Sequence, residues 1–137
     1  MTPDKQRRKH PSLSLRHGAL ARKIQQLAAF LQAQKRVMIA YSGGVDSTFL
    51  AVVAAQTPGV EAWAVTFDTP FLPREELREA RALARRFKLH HRVVHMDPMN
   101  QNTVAANPPK RCYHCKKALY SELRSLARRS GIHCICD

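Results

Sequence analysis

RVMIAYSGGVDSTFLAVVAAQ, residues 36–56, changes its hydrophobic pattern halfway along, and the fold follows from that change. The first part, RVMIAYS, is a short apolar run rich in Val, Ile and Tyr, the composition of a strand buried on both faces. Gly43 and Gly44 break the run. From Asp46 to Gln56 the residues read as a helix, closed by Thr57, Pro58 and Gly59.

The alternation repeats downstream. EAWAVTFD, 61–68, predicts a second strand, ended by Pro70 and Pro73. Residues 74–87 predict a helix with Leu77, Ala80, Leu83, Ala84 and Phe87 on one face. Glu75, Glu76 and Glu79 sit near its start, and Arg85, Arg86 and Lys88 near its end, as the helix dipole favours. HHRVVHMD, 90–97, predicts a third strand. A loop with Asn107, Pro108 and Pro109 leads to a helix over 113–129, and after Gly131 the segment IHCICD, 132–137, begins a fourth strand. Upstream, Leu20, Ile24, Leu27, Ala28 and Leu31 recur at helical spacing over 19–34. Residues 1–17 are polar, with two prolines and no apolar period, and are expected to be a basic, disordered arm. Such strand–helix–strand units predict an α/β three-layer sandwich: a mainly parallel sheet with helices on both faces, in one domain over 18–137 that breaks off after the fourth strand.

The chain has 137 residues, 45% of them hydrophobic, and no apolar stretch approaches the ~20 residues of a membrane span. The N-terminus lacks the apolar core of a secretory leader, so a soluble, cytoplasmic protein with reduced cysteines is expected. Lys and Arg number 23 against 10 Asp and Glu, a net charge of +13. Seven basic residues lie in each of 1–23, 74–92 and 110–129. Such a surface attracts nucleotides, phosphates or RNA, although any one basic residue equally serves solubility.

SGGVDS, Ser42–Ser47, falls between a predicted strand and a predicted helix. Two glycines let the backbone approach an oxyanion closely, and free amides at a helix start favour negative charge. Ser42 and Ser47 add hydroxyl donors. Asp46 repels a bare phosphate, so its carboxylate suits a Mg²⁺ riding with the phosphates or a brace for the loop. A helix-capping turn would account for a lone Gly-Gly pair but not for the whole string. The pattern is neither GxxxxGK[ST] nor GxGxxG, and no lysine follows the glycines.

NPPKRCYHCKKALY, 107–120, places Cys112 and Cys115 at a helix start beside Arg111, Lys116 and Lys117, a setting that favours thiolate. Four readings stand: a redox pair, a zinc site completed by Cys134 and Cys136, a cluster or sulfur-transfer role, and a pair of inert helical cysteines. Cys134 and Cys136 lie in an apolar strand pattern, where cysteines act as small hydrophobes.

SGGVDS resembles the signature of the PP-loop ATP pyrophosphatase superfamily. That resemblance implies an adenine nucleotide alpha hydrolase-like, Rossmann-like fold. It also implies cleavage of ATP between the α and β phosphates, with Ser42, Gly43, Gly44, Val45, Asp46 and Ser47 cradling pyrophosphate and Thr66 and Asp68 near the adenine. From about Lys23 to Asp137 the chain is similar to the N-terminal half of LarE-type sacrificial sulfur transferases, through YSGGVDS, VTFDTPFLPREEL and NPPKRCYHCKKALY. This narrower resemblance implies adenylylation of a pyridinium mononucleotide carboxylate and installation of sulfur, in biosynthesis of the nickel-pincer nucleotide cofactor. Asp46, Ser47 and Arg111 are then the candidate catalytic residues. Cys112 and Cys115 are the candidate metal ligands, for a [4Fe-4S] cluster whose third cysteine is expected beyond residue 137. ATP, Mg²⁺ and a small anionic nucleotide are the expected ligands, and a homo-oligomer the expected state of the full-length protein. The alternative is a PP-loop tRNA sulfurtransferase, with tRNA as partner.

Overall fold

The computed structural model describes residues 18–100 and 109–137. The arm expected over 1–17 and Asn107 and Pro108 of the predicted loop lie outside the described residues. The chain runs α1 (Ala19–Gln34), β1 (Arg36–Ala40), α2 (Val45–Gln56), β2 (Glu61–Asp68), α3 (Arg74–Arg86), β3 (His91–His95), a 3-10 turn (Pro98–Asn100), α4 (Arg111–Arg129) and β4 (Cys134–Cys136). The four strands form one parallel sheet in the order β3-β2-β1-β4.

Alternation along each strand sends side chains to two different layers. Val37 and Ile39 of β1 and Ala64 of β2 join Leu31 of α1, Ala51 and Ala54 of α2, and Ala80 and Ala84 of α3. Met38 and Val65, one residue out of step, face Leu123, Leu126 and Ala127 of α4 instead. Three helices therefore cover one face and α4 covers the other, which is the expected three-layer sandwich.

Helix ends are built in two ways. Gly131 adopts φ +67 after α4, and the Ile132 amide reaches back to the Ala127 carbonyl at 2.8 Å. This is the glycine-closed helix end that sequence reading looks for. After α3 the same back-bond runs from the Leu89 amide to the Ala84 carbonyl at 2.9 Å, but Lys88 holds the left-handed position at φ +54. Lys35 also takes a positive φ, +61, after α1, and its amide donates to the Gln32 carbonyl at 3.2 Å.

Several expectations need correction. Phe87, expected on the buried face of α3, is 41% exposed because the helix stops at Arg86 and the chain turns outward. Leu20 is 62% exposed, so α1 packs only from its second turn onward. β3 is shorter than 90–97: Asp97 Oδ1 accepts the Met99 amide at 2.9 Å and starts the 3-10 turn. No described helix is long and apolar enough to cross a membrane.

Leu123 is 1% exposed and anchors the single helix on its face. Leu123→Ala is expected to cost about 2–5 kcal/mol in a urea titration. The exposed Leu20→Ala is expected to stay within about 0.5 kcal/mol of the parent.

Candidate functional site

β1 leads through α2 to β2 on one side, whereas β4 arrives through α4 on the other. At the C-terminal edge of the sheet, the gap between these two connections is the place where parallel α/β sheets bind ligands. SGGVDS sits there.

Tyr41, just after β1, is 2% exposed and fixes the turn's entry. Its amide donates to the Val65 carbonyl at 2.8 Å, and its carbonyl accepts from Thr66 Oγ1 at 2.6 Å. Gly43 then takes φ +82, with its backbone pressed on α3: a Cβ there would meet Ala80 Cα and Cβ at 2.9 Å. Gly44 is different. Its φ is −69, and a Cβ would meet only Ser42 Oγ, at 3.3 Å. Sequence reading treated the glycines alike; the neighbouring helix separates them.

The two serines tie the turn from inside. Ser42 Oγ accepts the Gly44 amide at 3.2 Å and lies 3.1 Å from Ser47 Oγ, which accepts the Ser42 amide at 3.3 Å. Val45 and Asp46 are exposed, and Val45 is 86% so, which makes it a backbone contributor rather than a packing residue. Amides in this first turn of α2 have no carbonyl within the helix to bond, and stand ready for an anion.

A cavity of about 420 Å³ opens beside the turn. Ser42, Asp46 and Ser47 line it with Thr66, Tyr120 and Asp137, so it joins the turn, the end of β2, helix α4 and the end of β4. The volume lies in the usual range for small-molecule sites, ~300–1,000 Å³. Tyr120 donates its hydroxyl to the Asp137 carboxylate, which pushes the phenol's pKa up. Glu76 also lines this cavity, and lines a smaller one with Ser42, Gly43, Gly44 and Glu79. Sequence reading missed Glu76, Tyr120 and Asp137 as site residues. The dipole explained Glu76 sufficiently, and nothing local to Tyr120 or Asp137 shows that α4 and β4 converge on the turn.

Thr66 and Asp68 part company. Thr66 lines the cavity, but its hydroxyl is committed to the Tyr41 carbonyl and lies 2.8 Å from His91 Nε2. Burial, helped by the charge of Arg81, lowers the pKa of His91, so that ring is neutral at pH 7. Asp68 lies in an adjoining cavity of about 560 Å³, with Thr69, Arg74, His95 and Asp97. The Arg74 guanidinium holds the Asp68 carboxyl below the usual carboxylate range, and His95 Nδ1 lies 2.9 Å from its other oxygen.

The cysteines fall into two separated pairs. Cys112 is exposed and Cys115 half-buried, one turn apart at the start of α4. The side chain of Arg111 lies outside the described residues. Cys134 and Cys136 share one face of β4, with Sγ atoms 3.8 Å apart, and pack against the α1–α2 layer. α4 covers the opposite face, and among the described residues no four-cysteine zinc site is formed. Among the described residues no group of three or more His, Cys, Asp or Glu is placed to hold a metal ion. Cys112 and Cys115 offer two thiols, which do not by themselves complete a [4Fe-4S] site.

The family model described as asparagine synthase, a PP-loop family, matches residues 19–125. The chain belongs to this family. As a PP-loop protein it is 40% identical over 118 residues to an uncharacterised protein of Synechocystis, covering 86% of this chain and 44% of that one. It is 30% identical over 119 residues to the pyridinium-3,5-bisthiocarboxylic acid mononucleotide synthase of Lactiplantibacillus plantarum, covering 86% and 43%. The chain thus spans less than half the length of these relatives. Among solved structures, NMN synthetase from Francisella tularensis superposes with a TM-score of 0.69 at 17% identity, covering 88% of this chain and 54% of that one. The U34-tRNA thiolase NcsA of Methanococcus maripaludis, solved with its [4Fe-4S] cluster, gives 0.62 at 13%, covering 84% and 44%. At such identities these two share the PP-loop fold and nothing finer.

Two outcomes follow from the geometry. Gly43→Ala is expected to cost about 1–3 kcal/mol from backbone strain alone, more with the Ala80 clash, and Gly44→Ala clearly less; thermal melts of the pair check this. Iodoacetamide is expected to label Cys112 first. Burial and the neighbouring Cys134 push the Cys136 thiol up to about 11, so mapped peptides should show it unlabelled at pH 8–9, with labelling rising only as pH climbs toward that value.

Proposed function

We propose that the chain is the nucleotide-binding part of an ATP-dependent sulfur transferase. It adenylylates a carboxylate of a pyridinium mononucleotide and passes the activated acyl group to sulfur, in nickel-pincer nucleotide biosynthesis in the cytoplasm. The observation that carries this reading is the 420 Å³ cavity, which places the SGGVDS turn and cysteine-bearing α4 on one space. Cys115 precedes Tyr120 by five residues, about 7.5 Å along a helix, so the cysteines lie at the end of α4 beyond the cavity wall. The chemistry then needs few parts. A substrate carboxylate oxygen attacks the α-phosphorus, the bond to the bridging oxygen breaks, and pyrophosphate leaves onto the first-turn amides of α2 and the hydroxyls of Ser42 and Ser47. A sulfur nucleophile next attacks the acyl carbon and AMP departs. Arg111, which opens α4, is the candidate for balancing charge on the departing phosphate.

The lining makes a demand on the nucleotide. Among the described residues, the turn-side walls carry Asp46, Glu76, Glu79 and Asp137 but neither Lys nor Arg. Phosphates entering there meet carboxylates, and backbone amides alone would have to offset them. Asp46 and Asp137 are hard oxygen donors of the kind Mg²⁺ takes, and that ion would neutralise phosphate charge. Calorimetry is therefore expected to show ATP binding at least about tenfold tighter with Mg²⁺ than with EDTA, and Asp46→Ala to remove most of that difference.

A second reading, tRNA thiolation, is favoured by the +13 charge and by the fold shared with the U34-tRNA thiolase. Both readings predict pyrophosphate and AMP as products, and the acceptor separates them. Pyrophosphate release by the full-length protein is expected to depend on the pyridinium mononucleotide and not on tRNA. Dependence on tRNA alone would transfer the assignment to the second reading, and ADP with orthophosphate as sole products would overturn both.

A further inference from the structure

α3 carries Arg74, Arg78, Arg81 and Arg85 at intervals of four, three and four, so they form one stripe along the helix. Arg74 is paired with Asp68, and Arg78 with Glu75. Arg81, Arg85 and the following Lys88 are exposed, and no carboxylate among the described residues lies within ion-pair distance of them. They border a groove of about 320 Å³ whose other walls include Leu89, His91 and Val93, along the outer edge of β3. None of the residues lining this groove lines the nucleotide cavity.

An aromatic ring stands beside the cations. Phe87 is 41% exposed between Arg86 and Lys88, with the Arg86 guanidinium 5.9 Å from its ring centre. Unpaired cations tracking a groove, next to an outward-facing aromatic, form the chemistry that binds a nucleic-acid strand: phosphates on the cations and an unstacked base on the ring. Other occupants fit less well. A second copy docking by this same edge would set like charges against each other. A membrane needs an apolar helix face to bury, and that of α3, Leu77, Ala80 and Ala84, is already against the sheet. An acidic peptide would use the cations but leave Phe87 without a partner.

We propose that the α3–β3 edge is a docking groove for single-stranded nucleic acid, with Arg81, Arg85 and Lys88 on the phosphates and Phe87 stacking on a base. The test is fluorescence anisotropy of a labelled oligouridine strand over a range of salt concentrations. The variant Arg81→Gln/Arg85→Gln/Lys88→Gln is expected to reduce the slope of log K against log salt by about 2, since each phosphate contact on a single strand contributes about 0.7. Phe87→Ala is expected to weaken binding about tenfold while leaving the slope unchanged. A charge-matched variant away from the groove, Arg22→Gln/Lys23→Gln/Arg124→Gln, is expected to change neither. Equal losses in the two triple variants would mean diffuse charge and overturn the proposal. So would unchanged affinity in Phe87→Ala, or binding to polyglutamate or phosphatidylserine vesicles as tight as to RNA. Circular dichroism checks folding, and Arg81→Gln and Arg85→Gln singly carry the same slope test in steps of about 0.7. Affinity for Mg·ATP is expected unchanged in all groove variants, so failure of the groove and failure of the nucleotide reading give separate results.

Discussion

Gly43 and Ala80 meet at a distance that excludes one carbon atom, and the site is built on that contact. A Cβ on Gly43 would lie 2.9 Å from two atoms of α3. With it absent, the turn after β1 lies directly on the helix that follows β2. That seating joins two successive strand–helix units and sets where α2 begins, hence where its first-turn amides point. Thr66 works on the same joint from the other side, through its 2.6 Å hydrogen bond to the Tyr41 carbonyl. A hydroxyl in the middle of a buried strand would be costly without a partner; here it pins the last residue before the turn.

The sheet is covered unequally, and the inequality shapes the cavity. Three helices share one face, where small residues such as Ala51, Ala54, Ala64, Ala80 and Ala84 let the layers approach closely. On the other face α4 stands alone against Met38 and Val65, and Trp63, Phe67 and Val94 remain half-buried at its margin. A lone helix of 19 residues is about 28 Å long and crosses a β4 of three residues, so its N-terminal turns extend past the strand ends. That overhang gives the 420 Å³ cavity its far wall and brings the Cys112–Cys115 turn to the same edge of the sheet.

Most of the fold could be read from the sequence because its signals are local. Residues 19–34 and 61–68 carry complete patterns and form α1 and β2 at those bounds. Misjudged positions depend on distant partners or on unusual closures. Phe87 fits the apolar period of α3, but Lys88 ends the helix in a left-handed conformation that no glycine announces. The candidate site was half legible. SGGVDS identifies itself through its residue types. The split between Thr66 and Asp68, and the separation of Cys112 and Cys115 from Cys134 and Cys136, follow from which face of the sheet each residue occupies. Pairings between strands and helices far apart in sequence decide that.

Charge is distributed against the grain of the composition. A chain with 13 more basic than acidic residues places carboxylates and, among the described residues, no Lys or Arg around the SGGVDS turn. The two scales of electrostatics do different work. At long range the net positive field raises the local concentration of anions, an effect that weakens with salt. At contact range Asp46, Glu76 and Asp137 oppose a bare phosphate and accept one that arrives with its own cation. Among the described residues, fixed cations stand instead on outer surfaces such as the α3–β3 edge. On the proposed reading such an arrangement suits release of pyrophosphate, because lysines and arginines lining the turn would hold that product as firmly as the substrate.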